Sequence, residues 1–176
     1  MLPGAPSERM DKEVWARTRC LVAPSLWPEP FGLVAVEAAL RAIPALTTDL
    51  AGLQEANVVA DHVVPTDLVH DVEIGKTYRA PPTEGRSSLG TYEAQRGDLA
   101  RSFLDPSAPR GPVDAVEATD ADVRALAAKF AAKLAPLMGA DAAPLRRASE
   151  RSYDAAWAHL RDRRHAMPRL FRGLRD

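Results

Sequence analysis

The stretch Leu21–Glu55 reads LVAPSLWPEPFGLVAVEAALRAIPALTTDLAGLQE and decides the fold. The apolar run Cys20–Ala23, which begins one residue before this stretch, ends at a proline and is typical of a buried strand. A loop with further prolines follows, and proline disfavours helix at and just before its own position. Residues 32–40 are apolar or glycine except for Glu37, so they predict a helix. Ala45–Thr48 predicts a second strand, which completes a building block of a parallel sheet covered by helices.

Glu37 is the unusual residue in this unit. If core surrounds the helix on most sides, as its apolar neighbours indicate, an ionised carboxylate there is costly without a partner. Two interpretations are open: an ion pair with Arg41 one turn further on, or a polar ligand that lies over the helix start. Glu29, in the preceding loop, favours the ligand, because open α/β sheets bind ligands beyond the carboxyl ends of their strands.

The same residues resemble the signature of retaining GT-B glycosyltransferases, the two-Rossmann-domain group that includes the sucrose and glycogen synthases. The resemblance rests on short motifs in register: Pro24-Ser25, Glu29-Pro30-Phe31-Gly32, Glu37 after seven further residues, Ile43-Pro44, and Asp49-Leu50-Ala51-Gly52-Leu53-Gln54-Glu55. The chain departs from the family pattern at Ala42, where a glycine is usual, and at Ala51, which replaces the first glycine of a pair.

The resemblance implies an α/β fold: a partial Rossmann-like, GT-B C-terminal domain whose mostly parallel sheet carries helices on both faces. It also implies transfer of a sugar, with retention of configuration, from a nucleotide-diphosphate sugar to an acceptor. No metal and no cofactor are needed for that reaction in the family. The acceptor domain and the first strands of the donor domain are missing from this sequence, so the resemblance implies a fragment that is inactive alone.

The resemblance also assigns roles to individual residues. The catalytic glutamate would be Glu29, which contacts hydroxyls of the donor sugar. Backbone amides at the helix start would approach the sugar and pyrophosphate, where the helix dipole favours an anion, and a second carboxylate would hold the ribose. The donor-binding residues implied in this way are Phe31, Gly32, Leu33 and Glu37, with Asp49, Gly52 and Glu55 at the edge of the cleft.

The remaining chain divides by composition. Residues 1–8 predict a flexible leader, 9–66 the donor-binding core, 67–120 an irregular insertion rich in proline and glycine, and 121–176 the C-terminal helices of the same domain. Thr119 is a predicted N-cap. Apolar residues at helical spacing then predict two core-facing stripes, which include Val123 and Phe130 in the first helix and Tyr153 and Trp157 in the second.

Composition excludes several classes of protein. Charges of 23 basic against 24 acidic residues give no indication of nucleic-acid binding. A single cysteine excludes an internal disulfide framework and fits a reducing compartment. The sequence has neither a membrane span nor an apolar signal-peptide core, so we expect a cytoplasmic location. His62 and His70 predict surface histidines, because no second histidine or cysteine completes a metal-ligand set.

Three questions stay open at this level. Residues 146–176 hold nine arginines against four acids, which predicts either a solvated helix face or peripheral contact with an anionic membrane. Trp27 either packs on the sheet edge or covers the sugar site. The alternative to the enzyme is a non-catalytic nucleotide-sugar-binding or structural remnant, or the product of a truncated gene.

Overall fold

The chain contains a small parallel sheet with helical connections. The computed structural model describes residues 10–83, 85, 87–96 and 116–172. The parallel strands lie in the order β1 (Leu21–Ala23), β2 (Ala45–Thr48) and β3 (Val63–Val64). Helix α1 (Leu33–Leu40) connects the first two strands, and α2 (Ala51–Ala56) follows β2. The predicted strand–loop–helix–strand unit is therefore confirmed.

The second sheet is antiparallel, and it corrects the prediction of a mostly parallel sheet with an irregular insertion over 67–120. Strands β4 (Leu68–Asp71) and β5 (Lys76–Arg79) form a hairpin, to which β6 (Val116–Glu117) adds a third strand. Helix α3 (Ser88–Arg96) follows the hairpin. Strands of two to four residues are too short to show a period, which is why the pattern indicated irregular structure. Residues 97–115, like the predicted leader, lie outside the described residues.

Two long helices complete the described chain: α4 (Asp120–Met138) and α5 (Ala143–Arg172). The predicted N-cap of α4 is confirmed, because the Thr119 side chain accepts from the N–H of Asp122 while the Asp122 carboxylate accepts from the N–H of Thr119. Pro136 lies within α4, which continues to Met138, and Gly139 is the C-cap. Among the described helices, none has the length and apolar character that crossing a bilayer requires.

The core lies on both faces of β2. Successive side chains of a strand point to opposite faces. Leu46 accordingly packs with Leu126 and Phe130 of α4, whereas its neighbour Ala45 packs with Ala35 of α1. Helices on both faces of the parallel sheet are thus confirmed.

The residues through which α5 packs are not the aromatic residues that the sequence predicted. Its buried positions include the small residues Ala148, Ser152 and Ala156, and the helix packs against α1 and α4. Tyr153 and Trp157 are 44% and 43% exposed and meet edge to face, with ring centroids 6.2 Å apart. The prediction that they are core residues is wrong, because the small residues occupy the contact face. Five of the nine arginines in residues 146–176 lie beyond Arg161, outside the described side chains.

Candidate functional site

The signature residues gather at one edge of the parallel sheet. Because β1 and β2 run in the same direction, the loops that follow them begin at the same edge. The first loop leaves β1 after Ala23, and the second leaves β2 after Thr48. The Thr48 hydroxyl donates to the carbonyl oxygen of Ser25 at 2.6 Å and joins the two loops. The sequence placed Glu29 and Asp49 in these two loops, and the structure brings the loops together.

Gly52 holds the two loops in register. Its N–H donates to the carbonyl oxygen of Glu29 at 2.9 Å. A Cβ atom at this position would lie 2.3 Å from both the N and the Cα of Phe31, which is closer than real Cβ contacts come. The predicted donor-binding residue Gly52 therefore has a packing role in the described structure, since only glycine fits against the Pro30–Phe31 backbone.

Gly32 also has a structural explanation. It is the N-cap of α1 with φ +73°, a left-handed conformation that favours glycine. It is buried, and a Cβ atom there would lie 2.6 Å from Cδ2 of Leu53. The sequence assigned Gly32 to close approach of a ligand, whereas backbone conformation and contact with Leu53 are sufficient reasons for glycine.

The first turn of α1 is open to solvent. Leu33 is 64% exposed and Val34 is 37% exposed. The first N–H groups of an α-helix have no intrahelical acceptors, and together with the helix dipole they favour an anion. Glu37 is exposed too, and its position one turn after Leu33 places both residues on the same side of the helix. The structure thus provides an exposed helix start with a carboxylate beside it.

The burial argument for Glu37 is wrong. The exposed Leu33 and Val34 show that α1 is not surrounded by core on most sides, so an acid at position 37 costs little. The predicted pair with Arg41 takes another form: Nη1 of Arg41 donates to the backbone carbonyl of Glu37 at 3.0 Å. The Arg41 guanidinium lies 5.2 Å from the ring centroid of Trp15. Within the described residues, the Glu37 carboxylate has no ion-pair partner.

Of the remaining candidate residues at this edge, some have a structural role and others lie at the surface. Oδ1 of Asp49 accepts from the N–H of Thr66 at 2.9 Å, so this carboxylate fastens the loop before β4. Glu55 is exposed on α2, and Glu29 is half-buried. Trp27 is 41% exposed, so it does not pack as a buried cap on the sheet. Of the predicted acids, Glu29, Glu37 and Glu55 thus remain accessible.

Both departures from the family pattern lie in unusual backbone. Ala42 has φ 57° and Ala51 has φ 44°, and among the described residues these are the non-glycine positions with positive φ. Alanine in the left-handed region costs about 1–2 kcal/mol because Cβ crowds the following carbonyl oxygen. The backbone thus adopts glycine-like conformations at the two positions where the signature that the sequence resembles has glycine.

Sequence reasoning missed His62, which was predicted at the surface. It is 4% exposed, in a turn between α2 and β3. Burial, with Arg151 and Lys133 nearby, lowers the pKa of its imidazole, although the Asp61 carboxylate opposes the shift. The only local signal is the apolar Val63–Val64 that follows. In the described part of the chain, no three histidine, cysteine or acidic residues are grouped so that they could hold a metal ion.

Comparison with known proteins gives no match for this chain among protein-family models, curated proteins or solved structures.

Proposed function

We propose that the chain is the donor-binding part of a retaining glycosyltransferase, which binds a nucleotide-diphosphate sugar at the carboxyl edge of its parallel sheet. The observation that carries the proposal is the junction of the two loops, where the N–H of Gly52 donates to the carbonyl oxygen of Glu29. This junction lies beside the exposed start of α1. Open α/β sheets bind ligands beyond the carboxyl ends of their strands, which is this edge.

The chemistry of the exposed groups suits such a donor. The diphosphate would lie at the start of α1, near the N–H groups of Leu33 and Val34, where the helix dipole stabilises negative charge. A carboxylate such as Glu37 can accept from two adjacent hydroxyls, as a ribose offers. Glu29 would contact the sugar. Transfer would then depend on positioning and on electrostatic stabilisation of the leaving diphosphate, with the acceptor bound by a separate domain.

One group of observations favours the alternative, a nucleotide-sugar-binding or structural module without catalysis. Gly32, Asp49 and Gly52 each have a scaffold role that explains them without a ligand. A module that keeps this scaffold would also keep most of the signature. The two candidates therefore differ in whether Glu29 supports turnover, which these scaffold roles do not decide.

Calorimetric titration of the full chain with uridine and guanosine diphosphates tests binding. We expect saturable heat with at least one of them, and a loss of affinity of roughly tenfold or more in Glu37→Gln, which corresponds to ~1.4 kcal/mol. Glu150→Gln, an exposed acid on α5, is the matched control and should leave affinity unchanged. Absence of saturable heat at millimolar concentrations of both diphosphates would exclude the binding proposal in either form.

Catalysis needs a second measurement. Release of free nucleoside diphosphate from a nucleotide sugar distinguishes an enzyme from a binding module, when it is assayed with the chain joined to an acceptor domain and again with Glu29→Ala. Turnover that depends on Glu29 supports the transferase. Binding without any turnover supports the module.

A further inference from the structure

The turn Ala60–His62 is where both C-terminal helices bond to the edge of the parallel sheet. Nζ of Lys133, on α4, donates to the carbonyl oxygen of Asp61 at 2.6 Å. Nη1 of Arg151, on α5, donates to Oδ2 of the same aspartate at 2.8 Å. A turn of three residues is thus bonded to two helices, through residues that lie 72 and 90 positions after Asp61.

Buried within this turn is a titratable side chain that lacks a hydrogen-bond partner. His62 is 4% exposed, and its Nδ1 atom has no partner in the described part of the chain. Its backbone N–H donates to the carbonyl of Val59 at 2.9 Å. A buried polar group without a partner is costly, and it costs much more when it carries a charge. The neutral imidazole is therefore the form that this packing tolerates.

The charges around His62 make its protonation harder. Arg151 and Lys133 contribute cations from α5 and α4, and Asp61 of the same turn contributes the opposing anion. The Asp61 carboxylate and its carbonyl are already bonded to these two cations. Beside the turn, a cavity of about 550 Å³ is lined by residues 58–61 together with Arg151, Asp154, Ala155 and Ala158. Solvent therefore reaches the Asp61–Arg151 pair.

We propose that the Ala60–His62 turn is an acid-sensitive latch, and that protonation of His62 releases α4 and α5 from the edge of the parallel sheet. An imidazolium would add a third cation next to Lys133 and Arg151 at a buried position. The bonds from these side chains to Asp61 lie at the surface, and exposed pairs of this kind are individually weak. The latch therefore depends on the buried ring. Because α5 also packs against α1, release would loosen the helix that carries Leu33 and Glu37.

The pH range of release follows from the pKa. The pKa of His62 in the folded chain lies below its ordinary value of 6.5, so the open or unfolded chain binds the proton more tightly. Docking is then fully stable above pH ~6.5 and weakens as the pH falls toward the folded pKa. For one proton, the opening constant rises by up to about tenfold per pH unit within that range.

Hydrogen exchange of the full chain between pH 7.5 and 4.5 tests the latch, with rates expressed as protection factors at each pH. We expect protection in α4 and α5 to fall by up to about tenfold per pH unit, while the hairpin β4–β5 keeps its protection. In His62→Gln, which does not titrate, the helices should show no such fall. A wild-type fall that persists in this variant, or a hairpin that loses protection together with the helices, would overturn the latch.

The chain offers a matched control for the lysine. Lys129 lies one turn before Lys133 on α4, and its Nζ donates to the carbonyl of Pro65 at 3.1 Å. Lys133→Met should reduce the total acid-induced loss of protection, because a cation near His62 is gone. Lys129→Met removes an equivalent bond and should keep the wild-type loss. Equal behaviour of the two variants would contradict the proposal.

A measurement on the wild-type chain covers the case in which His62→Gln does not fold. Proton NMR follows the imidazole titrations of the four histidines without any substitution. We expect one of them to titrate clearly below 6.5, over the same pH range in which α4 and α5 lose protection. Ordinary titration of all four histidines would overturn the latch.

Discussion

The backbone N–H of Gly52 donates to the carbonyl oxygen of Glu29 at 2.9 Å, and this bond joins the loop after β1 to the first turn of α2. The two residues are distant in sequence, yet no side chain could be added at Gly52 without meeting the backbone of Phe31. The backbone of Glu29, the residue proposed to contact the sugar, is therefore held in place by a hydrogen bond from a glycine. The two parts of the signature belong together for a packing reason that holds with or without a ligand.

Gly52→Ala should be among the most damaging small substitutions in the chain. The new methyl group would lie 2.3 Å from backbone atoms of Phe31, and backbone cannot rotate away as a side chain can. We expect a loss of about 3 kcal/mol or more in the free energy of unfolding, measured by urea denaturation. Gly75→Ala is the control, because it has φ +73° but nothing within 4 Å. It should cost only the conformational ~1–2 kcal/mol, and an equal cost for both variants would contradict the packing role.

Ala42→Gly and Ala51→Gly should each stabilise the protein. Both alanines have positive φ, and relief of about 1–2 kcal/mol of strain exceeds the ~0.5–1 kcal/mol that glycine loses in chain entropy. We expect a net gain of about 0.5–1 kcal/mol for each, seen as a rise of ~1–4 °C in the melting temperature. Ala132→Gly, exposed within α4, is the control and should cost about 1 kcal/mol. Destabilisation by all three would show that the strain is absent.

The sequence was sufficient for those parts of the fold that local chemistry specifies. An apolar run that ends at a proline predicted β1, and the apolar residues that follow Gly32 predicted α1. The Thr119 N-cap predicted the start of α4 to the residue. In each case the physical cause lies within a few residues of its effect, so the pattern carries the information.

Prediction failed where the cause lies far away in the chain. Glu37 lacks a buried environment because α1 turns one side to solvent. His62 is buried in a turn to which α4 and α5, far along the chain, are bonded through Lys133 and Arg151. Asp49 appeared available for a ligand, but its partner is the N–H of Thr66, which belongs to the approach to β4. Tyr153 and Trp157 fit a helical stripe, yet small residues on the neighbouring face form the actual contact. No local pattern distinguishes these outcomes.

The capping box of α4 should produce an acid-sensitive contribution to stability. The Thr119 hydroxyl and N–H both donate to the Asp122 carboxylate, at 2.7 and 2.8 Å, and these bonds lower the pKa of Asp122 below its ordinary 3.8. A lowered carboxyl pKa stabilises the folded state above pH ~3.8, and this contribution is lost as the pH falls through the folded value. Thr119→Ala should lose about 1 kcal/mol at pH 7. Thr119→Ser should retain it. The difference in urea midpoint between Thr119→Ala and wild type should be smaller at pH 3 than at pH 7, because the bond from the Thr119 hydroxyl to the carboxylate weakens when Asp122 is protonated.

Arg41 bonds to the backbone carbonyl of Glu37 and not to the carboxylate of that residue, which gives a prediction that separates Arg41 from Glu37. Arg41→Met removes the bond to the Glu37 carbonyl and the contact with the Trp15 ring, which together should cost about 1–2 kcal/mol. Glu37→Gln leaves that carbonyl in place and should change the free energy of unfolding by less than ~0.5 kcal/mol. A side-chain ion pair between the two would instead make both substitutions costly. Urea denaturation of the two variants and of the double variant gives the coupling energy between the two side chains. We expect a coupling energy near zero for the carbonyl contact, whereas an ion pair would give a clearly positive value.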